Sequence, residues 1–186
     1  MLIDDILNQI NILPKNSREK LKECIEEVAY PKGYILLRAQ KVEEYLYFIK
    51  KGCVRAFAPL EEKDITFWFG EEGETILSMK SYVESKKAYE NIELIEDCEL
   101  YKLRIDTLQE LYNQDIHIAN WGRKLAEKEL LKVESRIISS ELLAAKERYE
   151  DLLLHSPSLL QRIPLKYIAS YLGITQVSLS RIRKVK

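Results

Sequence analysis

PLKYIASYLGITQVSLSRIRKVK, residues 164–186, holds two short apolar-periodic runs joined by Gly173-Ile174-Thr175. Ile168, Ala169 and Leu172 share one helical face in the first run; Val177 or Ser178, Leu179 and Ile182 do so in the second. This is helix–turn–helix spacing, and each position has a physical reason. Ala169 is small where two crossing helices approach. Gly173 can take the positive φ that ends the first helix. Ile174 plugs the core from the turn, and Thr175 can cap the second helix through its hydroxyl. Spacing alone fits an ordinary αα-hairpin equally well, so the rest of the chain has to decide.

Charge is the first arbiter. The 186 residues carry a net charge of −1. From Leu152 to Lys186, however, there is no Asp or Glu, while Arg162, Lys166, Arg181, Arg183, Lys184 and Lys186 are basic. A basic end on an acidic body is the asymmetry expected when one end meets phosphate. No apolar run reaches 18 residues, so no membrane span is expected. The acidic start MLIDDILNQI is unlike a signal peptide, which makes the cytoplasm the expected location. Cys24, Cys53 and Cys98 are scattered, odd in number and in no metal spacing, so buried thiols are expected.

Upstream, residues 2–30 read as two helices, the second carrying Leu21, Cys24, Ile25 and Val28, with Pro14-Lys15-Asn16-Ser17 as the turn between them. Residues 31–104 change to short strands at Tyr34–Leu37, Tyr45–Ile49, Cys53–Ala58, Ile65–Phe69, Thr75–Met79, Asn91–Ile95 and Glu99–Leu103. Runs this short, with turns every 8–12 residues, predict an antiparallel sandwich or barrel, with a single sheet solvated on one face as the alternative. Residues 105–154 are helical again. A stripe of Ile118, Trp121, Leu125, Leu130, Val133, Ile137 and Leu142 marks a long helix, with Gly122 and Ala126 allowing close approach and Leu131, Ile138 and Leu143 lying off the stripe. Two apolar faces suit a helix that packs on its own domain and on a second copy.

The order helix, small β-barrel, long helix, helix–turn–helix resembles the CRP/FNR family of bacterial transcription regulators, and its Bacteroidetes-type members in particular. Three stretches carry the resemblance: YLYFIKKGCVRAF (45–57), EDCELYKLRIDTLQELY (96–112) and LLQRIPLKYIASYLGITQVSLSRIRK (159–184). It implies an α+β protein: an antiparallel jelly-roll effector domain like the cyclic-nucleotide-binding one over residues 1–114, a dimerisation helix over 115–140, and a helix–turn–helix DNA-binding domain over 141–186. The dimer interface would use Ile118, Trp121, Gly122, Leu125, Ala126, Leu130, Val133 and Ile137. With the sequence ending at Lys186, no wing is expected after the recognition helix. Double-stranded DNA and a second copy are the implied partners, with RNA polymerase a further one.

Two departures from the family matter. Cyclic-nucleotide binders carry Gly-Glu, a short helix, and then an Arg that pairs with the cyclic phosphate. Gly73-Glu74 can stand for the start, but Ser85-Lys86-Lys87-Ala88-Tyr89-Glu90 has no Arg. Lys86 or Lys87 is a point charge without a bidentate fork, and Glu90 would repel a phosphate. Gly73, Glu74, Lys86 and Lys87 are therefore ligand candidates, yet cyclic AMP is not the expected ligand. Nor is an iron–sulfur cluster, which usually takes four clustered Cys, or haem, with His117 and His155 the only histidines.

The second departure is Val177, where members often carry a Glu. Val offers only apolar contact, for instance with a thymine methyl. In the recognition helix Gln176, Ser178 and Arg181 are candidates for base edges and Val177 for methyl contact. Thr175, Ser180, Lys166, Arg183 and Lys184 are candidates for phosphate. A competing reading is a ligand-binding or protein-interaction module whose helix–turn–helix no longer binds DNA. An enzyme is not expected, because no nucleophile–base pair, clustered His/Cys or Gly-rich phosphate loop is present.

Overall fold

A computed structural model describes residues 1–61 and 63–184. The chain opens with helices α1 (Ile3–Ile10) and α2 (Lys15–Glu23). Strand β1 (Ile25–Tyr30) follows directly. This corrects the expectation that helix runs through Ile25 and Val28. Those two residues are three apart and fit a helical face. But Ile25, Val28 and Tyr30 are the less exposed positions of a strand hydrogen-bonded antiparallel to residues 98–103.

The other strands are β2 (Ile35–Leu37), β3 (Tyr45–Lys51), β4 (Val54–Pro59), β5 (Asp64–Gly70), β6 (Thr75–Ile76), β7 (Asn91–Leu94) and β8 (Cys98–Arg104). They form two four-stranded antiparallel sheets, ordered β1-β8-β3-β6 and β2-β7-β4-β5. The run expected as strand to Met79 stops at Ile76, and a short helix α3 (Met79–Glu84) takes over.

Side-chain alternation builds two cores on either side of the first sheet. Tyr47 and Ile49 of β3 and Leu100 of β8 face Leu37, Val54, Ile92 and Leu94 of the second sheet. Leu46 and Phe48 of β3 with Tyr101 and Leu103 of β8 face outward, and helices cover them. Those helices are α1, α2, α4 (Ile105–Gln114) and the start of α5 (Ile116–Leu142). Asp115 caps α5, accepting from the His117 N–H at 2.9 Å and the Ile118 N–H at 3.4 Å. It also accepts the Ser17 hydroxyl at 2.8 Å, which ties α2 to the same point.

α5 has 27 residues and so is about 40 Å long. Its two halves differ. Ile118, Trp121, Gly122 and Leu125 are buried within this chain's own core. A Cβ on Gly122 would stand 2.3 Å from the Tyr112 hydroxyl, so the close approach belongs to α4 of the same subunit. These four residues are thereby corrected: expected at a dimer interface, they have no surface left for a partner. Ala126, Leu130, Val133 and Ile137 stay exposed, and so do Leu131, Ile138 and Leu142.

The chain ends in α6 (Ala145–His155), α7 (Pro157–Arg162), α8 (Leu165–Tyr171) and α9 (Gln176–Lys184). Their core is shared with the barrel: Tyr149, Leu159, Ile163, Ile168, Leu172 and Leu179 pack with Cys53, Phe69 and Ile95. No helix among the described residues is long and apolar enough to cross a membrane. The expected absence of a wing concerns residues from Val185 on and lies outside the described residues.

Candidate functional site

The α8–turn–α9 unit is built as its residue types require. Ala169 is buried at the helix crossing. Gly173 sits at φ +68°, in the left-handed region that glycine enters without penalty. The Ile174 N–H returns to the Ala169 carbonyl at 3.0 Å, closing the turn. Thr175 Oγ1 accepts the Ser178 N–H at 3.1 Å, the hydrogen bond of an N-cap. Leu179 is fully buried and Ile182 packs beside it. With 100° per residue, the ridge opposite Leu179 and Ile182 consists of Val177, Ser180, Arg181 and Lys184. All four are exposed, as are Gln176 at the helix start, Arg183, and Lys166 on α8. Ser178 is different. It is half-buried, and its hydroxyl lies 3.0 Å from that of Thr175, so it serves the cap more than the outer face.

Arg162 lies apart from the other basic residues of this region. Its Nη1 and Nη2 each donate to Glu72 at 2.9 Å, and its Nε donates to Glu96 at 3.3 Å. Glu72 and Glu96 belong to the barrel, so this member of the basic tail clasps the helical module to the strands. The charge reading had counted it with the basic end. Arg55 makes a second fastening. It is buried, with its guanidinium carbon 3.7 Å from the centre of the Tyr167 ring on α8 and 4.0 Å from that of Phe57. Its Nε donates to Glu93 at 2.6 Å and its Nη2 to Asp64 at 3.2 Å. A third is the Ser170 hydroxyl, which donates to the Asp64 carbonyl at 2.9 Å and accepts the Thr66 N–H at 3.0 Å. An Arg in the alternating run VRAFA was the sequence signal for the second of these.

Burial alone would raise the Glu72 carboxyl. Arg162 and the Gly52 N–H, 2.8 Å from its Oε1, outweigh that and hold it at about 2. A carboxylate whose folded pKa is depressed stabilises the fold above its unfolded value. That contribution disappears as pH falls through the folded value. Denaturant unfolding should therefore show stability falling from about pH 4.5 towards pH 2, and Glu72→Gln should reduce the slope. An equal slope in both proteins would show that the clasp contributes nothing.

The barrel holds a cavity of about 340 Å³ between the second sheet, residues 89–92 and the middle of α5. Phe67, Trp68, Tyr89, Glu90, Leu130 and Arg136 are among its lining. None of the four expected ligand residues lines it, which corrects that expectation. The Gly73 N–H is used by the Ile49 carbonyl at 2.8 Å. Glu74, whose carboxyl burial pushes up, pairs with Lys132 of α5 at 3.2 Å. Lys86 pairs with Glu84 at 3.0 Å on the surface, and Lys87 is exposed. The reason is local. Ser85 ends α3 in the left-handed region and the chain passes out over Lys86 and Lys87, so that Ala88 and Glu90 take the inward positions. Glu90 had been weighed only as a charge that repels phosphate, and Arg136 was missed, because nothing in the helical pattern marked which face of α5 met the barrel. Among the described residues no group of three or more His, Cys, Asp or Glu could hold a metal ion.

Residues 27–115 match the family model of the cyclic nucleotide-binding domain. FixK2 from Bradyrhizobium japonicum superposes with a TM-score of 0.77 at 20% identity, over 87% of this chain and 83% of that one. A protein from Eubacterium rectale assigned to the CRP/FNR family of transcriptional regulators gives 0.75 at 18% identity, over 97% and 87%. The catabolite activator protein of Thermus thermophilus gives 0.59 at 21% identity, over 97% and 85%. No curated protein sequence matches significantly. Identities this low establish a shared fold.

Proposed function

We propose, starting from a chain that carries a cyclic nucleotide-binding domain within the fold of the CRP/FNR regulators, that it is a DNA-binding transcription regulator acting as a homodimer and not governed by cyclic AMP. The observation that carries the reading is the outer face of α9. It is a capped helix whose exposed ridge presents Arg181 and Lys184 beside Val177 and Ser180. Among the described residues, Arg181, Arg183, Lys184 and Lys166 make no ion pair with protein carboxylates, which leaves their charge for phosphate and base edges. Gln176 stands at the helix start, where HTH recognition helices touch bases.

The second half of α5 supports the dimer. Leu130 is 68% exposed and Ile137 56%. Such a bare apolar stripe on a long helix is the mark of a protein interface. The cavity supports independence from cyclic AMP, since it lacks Lys86 and Lys87 and holds the Glu90 carboxyl. The reading includes neither haem nor an iron–sulfur cluster. Burial pushes the Cys53 thiol up to about 12 and the Cys98 thiol to about 11, the opposite of what a thiolate ligand needs. No catalytic role enters it, and RNA polymerase is a partner it allows.

The test is selection of bound sequences from a random duplex pool, followed by anisotropy titrations at several salt concentrations. The expected result is a near-palindrome with half-sites about 34 Å apart and an affinity that falls steeply with salt. Failure to bind any duplex at low salt would sink the reading and favour an interaction module that no longer touches DNA.

A further inference from the structure

The barrel cavity holds one group that the DNA reading does not use. Glu90 is only 5% exposed, yet no Lys, Arg or His lies within 4.0 Å of its carboxylate among the described residues. Its Oε2 accepts the Tyr89 N–H at 3.0 Å, and that is its one hydrogen bond among those residues. Its other oxygen has no protein donor among those residues, and Glu90 lines the cavity, so a cation entering there can pair with the carboxylate. The walls around it are aromatic. Phe67 and Tyr89 stand with ring centroids 5.9 Å apart and tilted by 32°, with Trp68 beside them. Ring faces carry negative quadrupole density and attract organic cations, most strongly when the site is dry. Leu77, Ile92 and Val133 complete an apolar lining.

We propose that this cavity binds an organic ammonium ion, an amine or quaternary ammonium on an apolar body. The nitrogen would sit against the Glu90 carboxylate and the body among Phe67, Trp68 and Tyr89. The other charged groups of the lining set its orientation. Arg136 donates Nη1 to the Phe67 carbonyl at 3.3 Å and Nε to the Lys132 carbonyl at 3.4 Å. It holds a fixed positive charge at the α5 wall, and that turns a cationic end towards Glu90. Glu129 is already paired with Lys132 at 2.9 Å. The size suits a small ligand, since about 340 Å³ lies at the lower end of the usual range for pockets. An anion is disfavoured in the same place, because a phosphate near Glu90 meets a like charge.

The inference rests on the cavity and not on DNA binding, so its test uses the DNA-free full chain and can fail while the DNA reading stands. Choline, phenethylamine and tryptamine are titrated calorimetrically, with indole-3-propionate and cyclic AMP as anions. At least one of the three cations is expected to bind and to raise the melting temperature, with neither anion doing so. Glu90→Gln keeps an acceptor for the Tyr89 N–H and removes the charge. It should weaken cation binding by about tenfold or more. Tyr89→Leu removes one ring from a half-exposed position and leaves the carboxylate in place. It should weaken binding by roughly threefold and serves as the measure if Glu90→Gln does not fold. The proposal is overturned if none of the three cations binds, if a folded Glu90→Gln or Tyr89→Leu binds them as well as the parent, or if either anion binds more tightly.

Discussion

Arg181→Ala should cost sequence-specific DNA binding about 2–6 kcal/mol. A bidentate Arg–guanine pair discriminates by about 1–3 kcal/mol, and a homodimer makes the contact twice. Arg181 is the residue of the exposed α9 ridge that can span guanine O6 and N7, and it is free of carboxylates among the described residues. The measurement is anisotropy on the selected duplex and on a scrambled one, at a single salt concentration. Most of the loss should fall on the selected duplex, with the two affinities converging. Lys184→Ala makes the contrast: a phosphate contact should weaken both duplexes about equally and lower the salt slope by about 1 per subunit. If Arg181→Ala kept its preference for the selected duplex, α9 would not be the reader.

Trp121→Ala should destabilise the subunit by about 3–5 kcal/mol. The indole is fully buried, packs edge-on against Phe48 with centroids 6.2 Å apart, and donates Nε1 to the Leu7 carbonyl at 3.0 Å. The substitution opens a cavity where α1, β3 and α5 meet, and it removes one of the two donors of the Leu7 carbonyl, leaving the Asn11 N–H at 3.1 Å. At this chain length a loss of that size lowers the melting temperature by roughly 10 °C. Trp121→Phe keeps most of the volume and loses the hydrogen bond, and should cost about 1–2 kcal/mol. Denaturant unfolding of the three proteins checks the order. A loss below about 1 kcal/mol for the Ala variant would mean that the buried half of α5 is not anchored by this ring.

The helix–turn–helix was legible because its constraints are local. A small residue, a glycine at positive φ and a hydroxyl cap act within ten residues, and all are seen where the spacing put them. The central strands were legible too, since Tyr45–Ile49 and Cys53–Ala58 are dense in β-branched and aromatic residues.

What stayed hidden depends on partners distant in sequence. Ile25 and Val28 fit either period, and pairing with β8, some 70 residues away, made them a strand. The stripe on α5 was read as one interface. The fold instead uses its first half for the subunit core and leaves the second half bare, a division set by α1 and α4, which no spacing along α5 itself reveals. Arg162 was counted with the basic end, and only the fold shows that the barrel's Glu72 and Glu96 hold it. The ligand residues failed for a smaller reason. One left-handed residue, Ser85, put Lys86 and Lys87 outside and Glu90 inside.

The bond from Trp121 to Leu7 spans 114 residues and bears on how the chain is made. α1 leaves the ribosome first, yet the helix that covers Ile6, Leu7 and Ile10 is made more than 100 residues later. At ~5–20 residues per second, that apolar face waits on the order of 5–20 s for its cover. During synthesis the amino-terminal segment is therefore the exposed, sticky end of the chain. A transcript truncated ahead of α5 should yield a fragment that aggregates or is held by chaperones, even though strands β1 to β8 are present in it.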